Sequence, residues 1–189
     1  MTIKIRPATA ADARGIAQVR IDTWRTAYRG LVPDTYLDAM DVDQSVALWE
    51  RVLGAAGDAA SVFVADQDGE IVGFAAANRL EEPKHGLDAE LSAAYVRSEF
   101  QRTGIGRRLV DAVARAQRAK GATGLIVWSI AGNKVARAFY ESLGGTLIVE
   151  QPFEWDGVPL TEAGYAFPDI DALIRACGPS AGPQGSTVH

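Results

Sequence analysis

The sequence predicts a mixed α/β fold, one sheet with helices packed on it, and three observations carry that prediction. Leu125-Ile126-Val127-Trp128-Ser129-Ile130 is a continuous apolar run of strand length, the pattern of a strand covered on both faces. Asp68-Gly69 and Asp156-Gly157 each lie between β-rich runs and mark hairpins. Between a strand-like stretch at 88–96 and a run of helical periodicity lies Gln101-Arg102-Thr103-Gly104-Ile105-Gly106-Arg107, a glycine turn from strand into helix.

Taken in order, Ile3 and Ile5 alternate with polar neighbours in a short strand that Pro7 ends. Thr9 and Asp12 form a capping-box-like start, and Ile16, Val19, Ile21 and Trp24 keep helical spacing up to Gly30. Pro33-Asp34 opens a second short helix with Tyr36, Leu37 and Met40, and Asp43 is expected to cap a third through Val46, Trp49 and Leu53. The aromatics Trp24, Tyr28, Tyr36 and Trp49 are read as core residues of these helices. A hairpin follows: its first strand ends in Val62-Phe63-Val64-Ala65, its return strand runs from Ile71 to about Asn78, and Gly73 marks a bulge or a close backbone approach. Residues 81–86 are expected to be a polar connection.

Period-two alternation in the next strand puts Glu90, Ser92, Ala94 and Val96 on one face and Leu91, Ala93 and Tyr95 on the other. The helix after the glycine turn carries Ile105, Leu109, Val113 and Ala116 on one face and stops at Lys120-Gly121. Asn133 heads a further helix, with Val135, Ala138, Phe139 and Ser142 expected inward and Gly144-Gly145 at its end. Two strands joined at Asp156-Gly157 complete a sheet of about seven strands, and Pro168-Asp169 starts a short last helix. Residues 1–170 therefore read as one domain, and 171–189 as a short C-terminal helix and a mobile polar tail.

At 189 residues and 48% hydrophobic composition the chain can bury a real core, and a net charge of -5 argues against general nucleic-acid or anionic-membrane partners. Single Cys177 excludes an internal disulfide and reads as a bystander thiol. With no apolar signal core at the N-terminus and no run near the ~20 apolar residues of a membrane span, a cytoplasmic chain is expected. No His, Cys and carboxylate grouping has metal-ligand spacing, so no metal is expected.

The glycine turn is the stretch with the clearest chemistry. Gly104 and Gly106 let the backbone bring several N–H groups close to an anion, and the following helix aims the positive end of its dipole at the same place, so a phosphate would satisfy donors the helix leaves orphaned. A dinucleotide fingerprint would need Gly or Ala where Leu109 stands, and a Walker loop would need Lys and Ser or Thr where Arg107 and Arg108 stand. Instead, Gln101-x-x-Gly104-x-Gly106 after a strand resembles the acyl-CoA pyrophosphate loop of the GNAT (Gcn5-related) N-acetyltransferases. Asn133-Lys134-Val135-Ala136-Arg137-Ala138-Phe139-Tyr140-Glu141-Ser142-Leu143-Gly144 is similar to that family's second signature.

The resemblance spans about residues 3–167 and implies a splayed pair of central strands that admits the pantetheine arm. It implies acetyl-CoA as acyl donor to an amine acceptor by direct transfer in a ternary complex. Gln101, Arg102, Thr103, Gly104, Ile105, Gly106 and Arg107 would hold the pyrophosphate, main-chain groups of Ala94, Tyr95 and Val96 the pantetheine, with Asn133 and Arg137 as further cofactor contacts. Ala94 replaces a bulkier aliphatic residue often seen there and Ser98 a frequent proline, which alters fit without removing a backbone donor. Tyr140 would donate its proton to the departing thiolate, a phenol with an ordinary pKa near ~10 being protonated at neutral pH. Glu90 would accept the amine proton, with His85 in reserve, and Trp24, Tyr28 and Trp128 would wall the acceptor pocket. The acceptor stays open between small molecules and peptide or protein amines, as does a homodimer through the C-terminal strands. An acyl-CoA-binding regulatory protein without catalysis, or an unrelated α/β nucleotide enzyme, are the alternatives.

Overall fold

The computed structural model describes residues 2–55, 57 and 59–178; the expected tail at 179–189 lies outside them. Seven strands form one sheet in the order β1-β2-β3-β4-β5-β7-β6. They are β1 Ile3–Pro7, β2 Ala60–Gln67, β3 Glu70–Lys84, β4 Leu87–Val96, β5 Leu125–Ile130, β6 Thr146–Trp155 and β7 Val158–Phe167. All neighbours are antiparallel except β4 and β5.

Helices cover both faces. α1 Ala13–Ala27, α2 Asp34–Ala39 and α3 Val42–Gly54 lie on one side, where Ile16, Val19 and Trp49 pack on Val62, Val64, Phe74 and Ala76. α4 Ile105–Ala119, α5 Lys134–Ser142 and α6 Ile170–Cys177 lie on the other. There Leu109, Val113, Tyr140, Leu143, Leu173 and Ile174 pack on Ala75, Leu91, Val127 and Tyr165. Burying two such layers is what makes β5 apolar apart from Ser129.

The Thr9–Asp12 capping box forms, opening a short 3-10 turn before α1, and Asp12 also takes both guanidinium nitrogens of Arg6 at 2.8 Å. Four details depart from the sequence reading. Asp41, not Asp43, caps α3, its carboxylate accepting from the Gln44 N–H, because the cap must sit one residue outside the helix. β3 continues to Lys84 where a loop was expected, a ribbon with β4 turned by left-handed His85 and Gly86; its exposed residues need no apolar pattern to keep ladder bonds. Of the residues expected inward on α5 only Phe139 packs inside; Val135, Ala138 and Ser142 face solvent, and Ala136 and Tyr140 turn inward in their place, with Leu143 buried at the C-cap.

The fourth concerns β4. Ala76 opposes Ala93 and Ala77 opposes Leu91, so Ser92 is an extra residue, a β-bulge. A bulge exchanges faces for everything beyond it. Leu91 therefore shares the α4 side with Ala94 and Val96, while Glu90 shares the α1 side with Ala93 and Tyr95.

Candidate active site

The two parallel strands part company early. Pairing of β4 with β5 covers only Ala89–Leu91 and Leu125–Val127, although β4 runs on to Val96 and β5 to Ile130. A wedge opens between them, with unladdered main chain along β4 beyond the bulge.

At the top of the wedge stands the mouth of α4. Side chains cap the N-termini of α3, α5 and α6 through Asp41, Asn133 and Asp169. At α4 the cap position is Gly104, with φ 86° and no side-chain hydrogen bond. The N–H groups of the first turn, residues 105–107, have no partner within the helix, and the dipole adds positive potential there. A Cβ on Gly104 would meet nothing within 4 Å, so its glycine answers to backbone conformation alone. A second left-handed residue, Arg102, folds the loop, and Thr103 Oγ1 donates to the Phe100 carbonyl at 2.6 Å. Gln101 ties the loop to β4, its amide donating to the Val96 carbonyl at 3.0 Å. The loop thus leaves the first-turn N–H groups of α4 without a side-chain cap, at a backbone turn that two left-handed residues hold. Gly106 has a second role, since a Cβ there would lie 3.3 Å from the Phe139 ring and push α4 from α5.

The arginines are engaged elsewhere. Arg107 reaches the Ala176 carbonyl (2.9 Å) and Ser142 Oγ, joining α4, α5 and α6. Arg137 donates to Tyr165 Oη (2.9 Å) and the Ala131 carbonyl (2.9 Å) and pairs with Glu150. Only main-chain groups of Arg107 remain for an anion.

Tyr140 projects from α5 into the core beside the wedge, 6% exposed, near Phe139 and Tyr165. Burial, reinforced by nearby Tyr95, pushes its phenol above the ordinary tyrosine value, so it stays protonated throughout the physiological range. Next to it runs a chain of polar tips. Asn133 caps α5 through the Ala136 N–H (3.1 Å), and Tyr28 lies close to it and to Tyr95, whose hydroxyl accepts from Trp24 Nε1 at 3.1 Å. Burial raises Tyr28 as well. Trp24 and Tyr28 stack edge to face at 4.7 Å. The chain joins α1 to the start of α5 across the wedge.

On the α1 side, a cavity of about 400 Å³ is lined by Lys84, His85, Glu90, Trp128, Gln151 and Glu162. Lys84 donates to Glu90 at 2.7 Å, Gln151 donates to Glu162 at 2.8 Å, and the His85 and Trp128 rings lie 6.0 Å apart. Glu90, His85 and Trp128 thus share one site, and Trp24 and Tyr28 belong to the neighbouring aromatic cluster with Ile130. Gln151 and Glu162 were not expected. The signal for Glu162 is a charge in β7 two residues from Leu160 and from Gly164, on the inward register. Among the described residues no group of three or more His, Cys, Asp or Glu is placed to hold a metal ion, and no helix is long and apolar enough to cross a membrane.

Comparison with known proteins gives this geometry its context. A model of the acetyltransferase (GNAT) family matches residues 21–145. An uncharacterized N-acetyltransferase of Bacillus subtilis, YuaI, is 33% identical over 172 residues, covering 90% of this chain and 96% of that one. Two solved structures share the fold. The PaiA N-acetyltransferase of Thermoplasma acidophilum in complex with coenzyme A has a TM-score of 0.66 at 19% identity, covering 86% of this chain and 98% of that one. YncA of Salmonella typhimurium with acetyl-CoA has 0.64 at 19%, covering 98% and 99%. The uncapped cradle, the wedge of parallel strands and the family match together place this chain in the GNAT acetyltransferase family.

Proposed function

We propose that the chain transfers an acetyl group from acetyl-CoA to an amine directly, in a ternary complex, and that it does so in the cytoplasm. The observation that carries the reading is the pairing of an uncapped, left-handed helix mouth with strands that separate immediately below it. Residues present fit the donor. Main-chain N–H groups of residues 102–107 would hold its diphosphate, and the free edge of β4 at Ala94, Tyr95 and Val96 would pair with its pantetheine amides as an added strand does. Acetyl-CoA supplies the activated acetyl thioester.

The chain's residues then divide the proton work. Glu90, on the acceptor side, takes the proton of the incoming ammonium, so that nitrogen can bond to the acyl carbon. Its contact with Lys84, at 2.7 Å, fixes the carboxylate in the cavity. Tyr140 holds a proton at Oη for the sulfur as the C–S bond breaks, its raised pKa keeping that proton in place until then, and the second proton shed by the nitrogen as the amide forms restores the phenol. Asn133 fixes the start of α5, hence the height of Tyr140 in the wedge. Strand β6, at the sheet edge with Leu147 and Ile148 exposed, is the face we assign to a homodimer.

Thiol release from acetyl-CoA across a panel of amines tests the reading. Amine-dependent release supports it. Coenzyme A binding with no release from any amine would instead identify a non-catalytic acyl-CoA-binding protein.

A further inference from the structure

The acceptor cavity holds two carboxylates of unlike standing. Glu90 has a cationic partner in Lys84 at 2.7 Å. Glu162 has none: among the described residues no Lys or Arg pairs with it, and Gln151 Nε2, at 2.8 Å, is a neutral donor that fixes Oε1 in place. A half-buried carboxylate with one oriented oxygen and no counter-ion is an incomplete ion pair.

Beside it an aromatic face is built deliberately into the sheet. Trp128 stands opposite Gly164, where a Cβ would sit 2.7 Å from the indole Cζ3 and 2.9 Å from Val149. Only glycine lets the indole lie against β7 there, where it lines the cavity with the His85 ring 6.0 Å away, and an indole ring attracts a cation. Glu162 is opposite Ile130, beyond the last β4–β5 pair, so this subsite lies at the wedge. Glu90 is level with Ile126 and Ala166 and Glu162 with Ile130, so two strand spacings across the sheet, about 9–10 Å, and four residues along it, about 13 Å, separate the two backbone positions. A charge at Glu162 is therefore several bonds away from a nitrogen at Glu90.

We propose that Glu162, oriented by Gln151 and flanked by the Trp128 indole, binds a second positive charge of the acceptor, so that the preferred substrates are amines carrying another cationic nitrogen. This rests on the acetyl-transfer reading, in which Glu90 serves the reacting nitrogen and leaves Glu162 for the remote one. A monoamine of equal length offers nothing to Glu162, and desolvating that carboxylate unpaired penalises it.

The test compares thiol release with 1,4-diaminobutane and with butylamine, and with a dibasic lysyl peptide, for wild type and Glu162→Gln. Wild type is expected to favour the dicationic acceptors by about ten-fold or more in kcat/KM, through KM, as one charge-assisted contact allows. Glu162→Gln is expected to bring the diamine-to-monoamine ratio to within about three-fold of one while its coenzyme A affinity stays that of wild type. Which dicationic acceptor is faster tells a free diamine from a peptide amine; either preference supports the subsite. Equal use of butylamine and the diamine by wild type would overturn the proposal and leave acetyl transfer standing. No release from any amine would overturn the acetyl-transfer reading and this inference with it.

Discussion

Replacing Gly104 with alanine separates the two things the cradle is said to do. The backbone at 104 has φ 86° and ψ -3°, the left-handed region, which costs an L-residue about 1–2 kcal/mol. No steric clash adds to this, because nothing lies within 4 Å of the new Cβ. Alanine's lower unfolded-state entropy returns roughly 0.4–1 kcal/mol, so the net loss is at most about 1.6 kcal/mol. For a chain of this size that is a fall in Tm of at most about 6 °C. Relaxing the strain rotates the 104–105 peptide and misaims N–H donors at the helix mouth. A charge-assisted hydrogen bond is worth about 1.5–3 kcal/mol, so coenzyme A affinity should weaken about ten-fold to a hundred-fold. Calorimetric titration with coenzyme A and a thermal melt of the same protein read both numbers. A lowered Tm with unchanged affinity would refute the cradle: Gly104 would then be a helix stop and nothing more.

Other consequences are direct. Tyr140→Phe should lower kcat at least about a hundred-fold with little change in the acetyl-CoA KM, since the ring still fills its buried place and only the proton is lost; a kcat within about three-fold of wild type would remove Tyr140 from the chemistry. Gly164→Ala forces Trp128 or Val149 to move and should cost about 1–3 kcal/mol of stability, raising the amine KM more than the coenzyme A dissociation constant. Asp12 is held below the ordinary carboxylate range by its hydrogen bonds from Arg6, against the opposing pull of burial. A depressed folded value means stability present above the unfolded pKa of about 4 and lost as pH falls through the folded one. Asp12→Asn should therefore be less stable than wild type at pH 7 by about 1–3 kcal/mol, the gap closing below pH ~4 in chemical denaturation; a gap constant down to pH 2 would contradict this.

Much of the frame was legible because its signals are local. Asp68-Gly69 and Asp156-Gly157 demand left-handed turns, and both adopt them. The glycine turn is a contiguous run that opens α4 as expected, and Tyr140, which the family resemblance singled out, lies on α5. What the chain concealed depends on partners distant in sequence. The bulge at Ser92 exists only in register with β3, so alternation alone placed Glu90 with Ala94, on the wrong side of the sheet. Val135 is as apolar as the residues α5 buries, and only the packing of Phe139 on α4 and of Tyr140 beside Tyr165 sets the rotation of the helix. The cavity gathers residues from β3, β4, β5, β6 and β7, and no spacing rule brings Gln151 and Glu162 to Glu90. The side chains of Arg107 and Arg137 bind carbonyls, a hydroxyl, a phenol and a carboxylate, most of them contributed by other elements, partners that no local spacing foretells.

A crystal of the protein grown with coenzyme A tests the central claim most directly. The account predicts the diphosphate within hydrogen-bonding distance of the main-chain N–H groups at the mouth of α4, and the pantetheine running down the wedge between β4 and β5 with its sulfur near Tyr140 Oη. A ligand bound elsewhere, or a wedge closed by β4 and β5 pairing along their full length, would contradict it.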